Sequence, residues 1–250
     1  MGNSTICKVK IYFAALYRRL AKKRLSSART EDIEGLIEHT NKTSRFFGII
    51  ARTLGMEEDI INRAQNAVLL HDIGKLANNE IFALTIAPRK LTEKELMIVR
   101  QHAQKSLTML SEEGINFIDP GLEKMILYHH DPEGLVNDPY LKNRLIWRKL
   151  TEILIVSDYI SAAYDTSRAY HNGYRLKKSV LITLQELAQQ WGTTIGGDIY
   201  AILGEILIDG RNPAFLTIRG SLKTILDTIG NRELTPQQII PAQNITLFSA

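Results

Sequence analysis

The run Leu69-Leu70-His71-Asp72-Ile73-Gly74-Lys75 sets an imidazole beside a carboxylate. Such a pair can ligate one metal ion through His71 and bridge two through Asp72. The chain has six histidines, and four others, His39, His102, His129 and His130, fall at positions compatible with helices around this pair. Asp158, in a later apolar stretch, adds a second carboxylate. Taken singly, a histidine on an apolar helix face is more often a hydrogen-bonded core residue than a ligand. Five of six histidines with two carboxylates, at helix ends or on inward faces, exceed what packing requires, because buried His and Asp left unpaired carry a desolvation cost. Two neighbouring divalent ions can hold a hydroxide, lower the pKa of its parent water and polarise a phosphoryl oxygen for in-line attack. The chemistry expected of this set is hydrolysis of a phosphodiester or phosphomonoester.

These residues need helices to hold them. Apolar residues recur with helical spacing almost everywhere and strand-like alternation is scarce, which predicts an all-α protein. A helix over about 31–54, stopped by Gly55, carries His39. A second, from about Glu57 through Ile60, Ile61, Ala64, Val68 and Leu69, ends at His71-Asp72, with Gly74 breaking it. Thr92 and Glu95 form a capping box that opens a helix through Leu96, Val99, His102, Leu107 and Leu110. Asp119-Pro120 joins an N-cap residue to a proline at the first helical position, starting a helix that ends at His129-His130. A loop from Asp131 to about Asn143 follows, then an apolar helix from about Trp147 to Ile160 that contains Asp158. Further helices are expected at about 176–191, 198–208 and 220–229, and the stretch 234–250 has no strong period.

At 250 residues, with 44% hydrophobic and 23% charged, the chain can bury one large core or two small ones. The longest apolar runs, such as Met125 to Tyr128 and Ile153 to Val156, are too short to cross a bilayer. The N-terminus lacks an apolar stretch followed by a small-residue cleavage site, and the single Cys7 has no internal disulfide partner. A soluble protein of the reducing cytoplasm is expected. A net charge of +4 favours anionic substrates without calling for a long nucleic acid. Lys8, Lys10, Arg18, Arg19, Lys22, Lys23 and Arg24 form a block with no acidic residue, interleaved with Ile11, Phe13, Leu16 and Leu20. Such a basic amphipathic helix either packs on the domain with its charges solvated or engages a protein partner or membrane surface. No repeat or composition break divides the main body. The expected organisation is an N-terminal basic helical extension over 1–30, one helical catalytic domain over 31–209, and a C-terminal helical extension and tail over 210–250.

The order and spacing of these residues resemble the HD superfamily of metal-dependent phosphohydrolases, most closely its HD-GYP branch, over His39 to Ile208. His39-Thr40-Asn41-Lys42-Thr43 followed by Ala51-Arg52-Thr53-Leu54-Gly55 resembles the helix of the first histidine, and Leu70 to Lys75 resembles the signature motif with its downstream lysine. Leu91 to Glu95 leading to His102 resembles the third-histidine helix, His129-His130 the tandem pair, and Val156-Ser157-Asp158 with Arg168 and Tyr170 the closing motif. The resemblance implies that His39, His71, Asp72 and Asp158 hold one divalent ion and Asp72, His102, His129 and His130 a second. Asp72 would be the bridge, and Lys75 would direct its ammonium at a phosphate oxygen or leaving group. Fe or Mn is the expected metal, with Ni, Zn and Mg as the other choices.

The chain also departs from the pattern. The namesake Gly-Tyr-Pro is replaced by Asn137-Asp138-Pro139, and Glu152 stands where an arginine often precedes the last Asp ligand. Arg148, one turn earlier, could take over that contact, with Arg168 and Tyr170 as further substrate-binding candidates. Gly35 stands where some members carry a Glu for a third metal, so two ions are expected. The implied activity is hydrolysis of a cyclic dinucleotide, first of all cyclic di-GMP, by metal-activated hydroxide. The altered loop leaves open a phosphohydrolase of another nucleotide or phosphomonoester, or a catalytically silent metal-binding signalling module.

Overall fold

The computed structural model describes residues 2–163 and 180–207, and every regular element among them is helical. The chain forms two compact units, Met1–Lys178 and Ser179–Ala250. The first holds α1 (Gly2–Arg24), α2 (Thr30–Thr53), α3 (Glu58–Leu70), α4 (Asn79–Thr85), α5 (Glu93–Arg100), α6 (His102–Glu112), α7 (Pro120–Tyr128), α8 (Pro132–Asn137), α9 (Pro139–Asn143) and α10 (Leu145–Ala163). The second holds α11 (Val180–Trp191) and α12 (Gly197–Leu207), which bury Leu187, Trp191, Ile199 and Leu203. No helix among the described residues is long and apolar enough to cross a membrane.

The first unit is organised around α10, whose Leu150, Ile153, Leu154, Val156 and Ile160 are completely shielded from solvent. Each such side chain contributes about 1.5–3 kcal/mol relative to exposure. α10 packs against both α2 and α7, and α2 packs in turn on α3. α1 lays Leu16, Tyr17, Leu20 and Ala21 into the same core, against α2 and α3. Four of its cations are met within the chain: Arg18 forks onto Glu34 at 2.6 and 2.8 Å, Arg19 and Lys23 reach Glu113, and Arg24 pairs with Glu112. Tyr17 Oη donates to the carbonyl of Leu69 at 3.2 Å, which ties α1 to the end of α3.

Where the sequence suggests a loop after His130, the structure has α8 and α9. Both start as α7 does, on an Asp-Pro pair. Asp131 accepts from the backbone N–H of Gly134 at 2.9 Å and Asp138 from that of Leu141 at 3.0 Å. These helices have six and five residues, so no apolar period can develop in them, and the capping aspartates specify them instead. The single helix expected through Leu96 to Leu110 is two, broken at Gln101, and α4 was not expected; Asn78 caps it by accepting from Ile81 N–H at 2.9 Å.

Asp138 does more than cap α9. Lys124 Nζ and Tyr128 Oη, both on α7, donate to its Oδ2 at 2.7 and 2.8 Å, which fastens the segment after the tandem histidines to the helix that carries them. Burial alone would raise this carboxyl, but Lys124, the Leu141 N–H and Tyr128 outweigh it and hold it down to about 2. A depressed folded-state pKa stabilises the fold above the unfolded value and loses that contribution as pH falls toward the folded one. Asp138 is therefore expected to contribute about 2 kcal/mol at neutral pH, lost between about pH 4 and 2. Urea unfolding of Asp138→Asn should show that deficit at pH 7 and a flatter stability curve below pH 4; an unchanged pH 7 stability would refute it.

Candidate metal centre

Three of the five clustered histidines stand where a helix stops. His71 follows the last residue of α3, His129 follows the last residue of α7, and His102 comes two residues after α5. The last turn of a helix leaves carbonyls without intrahelical partners. Each of these rings turns its Nδ1 back onto such a carbonyl three residues earlier: Val68, Val99 and Ile126, each at 2.6 Å. A carbonyl only accepts, so Nδ1 carries the proton in all three, and Nε2 is left with a lone pair directed inward.

The seven residues singled out by the sequence come together. His39, His71, Asp72 and Asp158 offer atoms within 4.8 Å of one another, and His102, His129 and His130 form a second such group. The Asp72 carboxylate lies between them. Its Oδ2 is 3.4 Å from His39 Nε2 and 3.5 Å from His71 Nε2, while its Oδ1 is 3.1 Å from His102 Nε2 and 4.0 Å from His129 Nε2. Asp158 Oδ1 lies 2.8 Å from His39 Nε2 and 3.5 Å from His71 Nε2, and its Oδ2 lies 3.8 Å from His130 Nε2. Only His130 is appreciably open, with 27% of its side chain exposed, so it marks the solvent edge of a cluster otherwise sealed in the core.

Two features of the cluster suit a cation. His71 Nε2 and Asp72 Oδ1 are buried without a hydrogen-bond partner, a costly condition for an imidazole nitrogen and a carboxylate oxygen. His102 Nε2 and His129 Nε2 approach to 3.0 Å with both ring protons on the other nitrogen, so two lone pairs face each other. A divalent ion accepts both kinds of donor. Burial, with Lys75 adding to it, lowers His102, and burial reinforced by neighbouring imidazoles lowers His129 and pushes His130 down to about 3, so these rings are neutral at pH 7. Burial also opposes charging His71, but Asp72 and Asp158 outweigh it and raise this ring. Burial would raise Asp72 and Asp158 too, yet both lie well below the ordinary value, Asp72 because of His71 and Lys75, Asp158 because of His39 and His71. Two carboxylates, Asp72 and Asp158, face the one Lys75 ammonium in this cluster.

Lys75 is itself buried, on the short 3-10 turn Ile73–Leu76, with its Nζ 2.6 Å from Asp72 Oδ2. That turn is sewn to α6 by Ser106, whose Oγ donates to the His71 carbonyl at 2.7 Å and accepts from Gly74 N–H at 2.8 Å. His39 is held from α10: its Nδ1 lies 3.1 Å from Ser161 Oγ, which also lies 3.2 Å from the His39 carbonyl. Neither serine stands out in the sequence, since a serine inside an apolar helix reads as core; their spacing, four residues after His102 and three after Asp158, is the signal that could have found them.

The substrate-contact candidates are placed differently. Arg148 Nε donates to Glu152 Oε1 at 3.2 Å, and Lys149 Nζ reaches Glu152 Oε2 at 3.2 Å. Ten residues separate Arg148 from Asp158 on α10, about 15 Å along the axis. Arg168 and Tyr170 lie outside the described residues. Glu34 and Glu38, which flank Gly35, are occupied by Arg18 and Lys42.

A comparison with known families matches the HD domain over residues 36–163, a span that contains all seven clustered residues. The chain is 31% identical over 104 residues to a cyclic di-GMP phosphodiesterase response regulator of Xanthomonas campestris, covering 39% of this chain and 27% of that protein. It is 31% identical over 108 residues to a cyclic di-GMP phosphodiesterase of Thermotoga maritima, covering 43% and 29%. It is 25% identical over 191 residues to a cyclic di-GMP phosphodiesterase of Pseudomonas aeruginosa, covering 75% and 43%. The chain thus spans less than half the length of the curated relatives it matches. No solved structure matches it significantly.

Proposed function

The chain belongs to the HD domain family, and on that premise we propose that it is a binuclear-metal phosphodiesterase that opens cyclic di-GMP to the linear dinucleotide or mononucleotides. The observation that carries this reading is the fully buried carboxylate of Asp72, whose two oxygens face two groups of candidate ligands. All three relatives are named as cyclic di-GMP phosphodiesterases, which supports the choice of substrate.

His39, His71, Asp72 and Asp158 would hold one divalent ion and Asp72, His102, His129 and His130 the other, with Mn or Fe suited to the mixed nitrogen and oxygen donors. Such ions supply Lewis acidity and lower the pKa of water at neutral pH. The chain supplies the rest. Its helix-end histidines direct Nε2 into the cluster, its closed core fixes the carboxylates, and the surrounding imidazoles and Lys75 keep them ionised. Lys75 brings a buried ammonium beside Asp72, where it can offset the negative charge of an arriving phosphate. The partly open edge at His130 is the side from which a substrate phosphate would enter.

Anaerobically purified protein is expected to carry two equivalents of metal and to turn cyclic di-GMP into a linear product, both abolished by a strong chelator. Cleavage of an aryl phosphodiester with cyclic di-GMP left intact would overturn the substrate and keep the hydrolase. Asn137-Asp138-Pro139, locked into the junction of α8 and α9, gives that second outcome its own support, because it reshapes the segment after the tandem histidines.

A further inference from the structure

His39 is not held as the other rings are. His71, His102 and His129 face carbonyls, and each is confined to one tautomer. His39 Nδ1 faces a hydroxyl, and a hydroxyl both donates and accepts. With the Ser161 proton on the His39 carbonyl, Ser161 accepts from Nδ1–H, and Nε2 presents a lone pair toward Asp158 Oδ1 at 2.8 Å and Asp72 Oδ2 at 3.4 Å. With the proton turned onto Nδ1, the ring hydrogen sits on Nε2 and donates to Asp158 Oδ1. Ser161 is completely buried and His39 is 1% exposed, so no solvent molecule competes for this contact.

We propose that Ser161 is a positioning residue that lets His39 exchange tautomer as a divalent ion enters: Nε2–H on Asp158 without the ion, Nδ1–H on Ser161 with it. The inference rests on the metal-binding reading above. The Nε2 proton passes to water that accompanies the entering ion, Nδ1 takes one from the same water, and the hydroxyl turns its own proton from Nδ1 to the His39 carbonyl, so the net protonation is unchanged. Asp158, which without an ion is satisfied by the Nε2–H, is freed as a ligand in the same movement. His39 is thus the adaptable member of a set whose other assigned rings are fixed.

Long-range 15N correlation spectra of histidine-labelled full-length protein read the tautomer directly. His39 Nδ1 should be unprotonated without metal and protonated with Zn2+, while His71, His102 and His129 keep Nδ1–H in both states. In Ser161→Ala the Nδ1–H form has no acceptor, so Zn2+ affinity, measured by competition with a chromophoric chelator, should fall about 10–100-fold at one of the two sites, and Ser161→Thr should restore it. An Nδ1–H ring in both states, or wild-type affinity in a folded Ser161→Ala, overturns the proposal. If the wild type binds no Zn2+, the metal reading fails. The metal-free spectrum still decides the contact, because Ser161→Ala must then shift the His39 Nδ1 resonance, and an unmoved resonance would refute it.

Discussion

Asp72→Ala is expected to strip both ions and to cut phosphodiester hydrolysis by at least about a thousandfold, ~4 kcal/mol of barrier. Asp72 faces both ligand groups through its two oxygens, Oδ2 toward His39 and His71 and Oδ1 toward His102 and His129, whereas Asp158 meets the second group only at His130, 3.8 Å away. The substitution also leaves Lys75, only 5% exposed, without its 2.6 Å partner. Breaking a buried pair from one side costs about 3–5 kcal/mol, so the variant should also unfold at markedly lower urea than the wild type in metal-free buffer. Asp72→Asn separates the two effects. It preserves shape, still gives Lys75 an amide oxygen and removes the bridging charge, so it should lose metal and activity with a smaller stability deficit. Metal content by elemental analysis and initial rates on cyclic di-GMP check the first claim. Two equivalents of metal retained by Asp72→Ala would remove Asp72 from its bridging role.

Gly74→Ala is expected to destabilise the first unit by about 3 kcal/mol or more, near the top of the range for single substitutions. A Cβ there would collide with the His102 carbonyl and stand 2.5 Å from Ser106 N, both backbone atoms of α6 that cannot swing aside. The same residue gives its N–H to Ser106 Oγ, which in turn holds the His71 carbonyl. Any retreat of the turn therefore parts His71-Asp72 from His102. For a unit of this size the loss corresponds to a fall in melting temperature of roughly 10 °C. Gly35→Ala, inside α2 where a Cβ meets nothing within 4 Å, is the matched control and should melt at or slightly above the wild type. Equal melting temperatures for the two variants would show that α6 does not approach the turn this closely.

Much of the architecture could be read from the sequence because long amphipathic helices announce themselves. α2, α3 and α7 fall close to their expected spans, and α7 was legible from Asp119-Pro120 alone. The same Asp-Pro signature at Asp131 and Asp138 went unread because five or six residues cannot show a period. The members of the cluster were legible by type because buried imidazoles and carboxylates have few other uses. Their hydrogen-bond partners were not: Val68, Val99 and Ile126 act through carbonyl oxygens, which every residue has. Glu152 is a further case, since an acid at an inward position reads as repulsive to phosphate, yet it is 3% exposed with Arg148 and Lys149 upon it.

The histidines at the ends of α3, α5 and α7 have a consequence for how this chain can vary. Their aim is set by where a helix stops and by the carbonyl one turn behind, not by the identities of the residues in that turn. Replacing Val68, Val99 or Ile126 by another residue of similar bulk keeps the carbonyl and so keeps the aim. Inserting or deleting one residue inside any of these helices turns its end by about 100° and shifts it by about 1.5 Å, which carries the ring out of the cluster altogether. Lineages of this domain should thus drift freely in composition along these three helices while holding their lengths constant, and gaps in their alignments should collect between the helices.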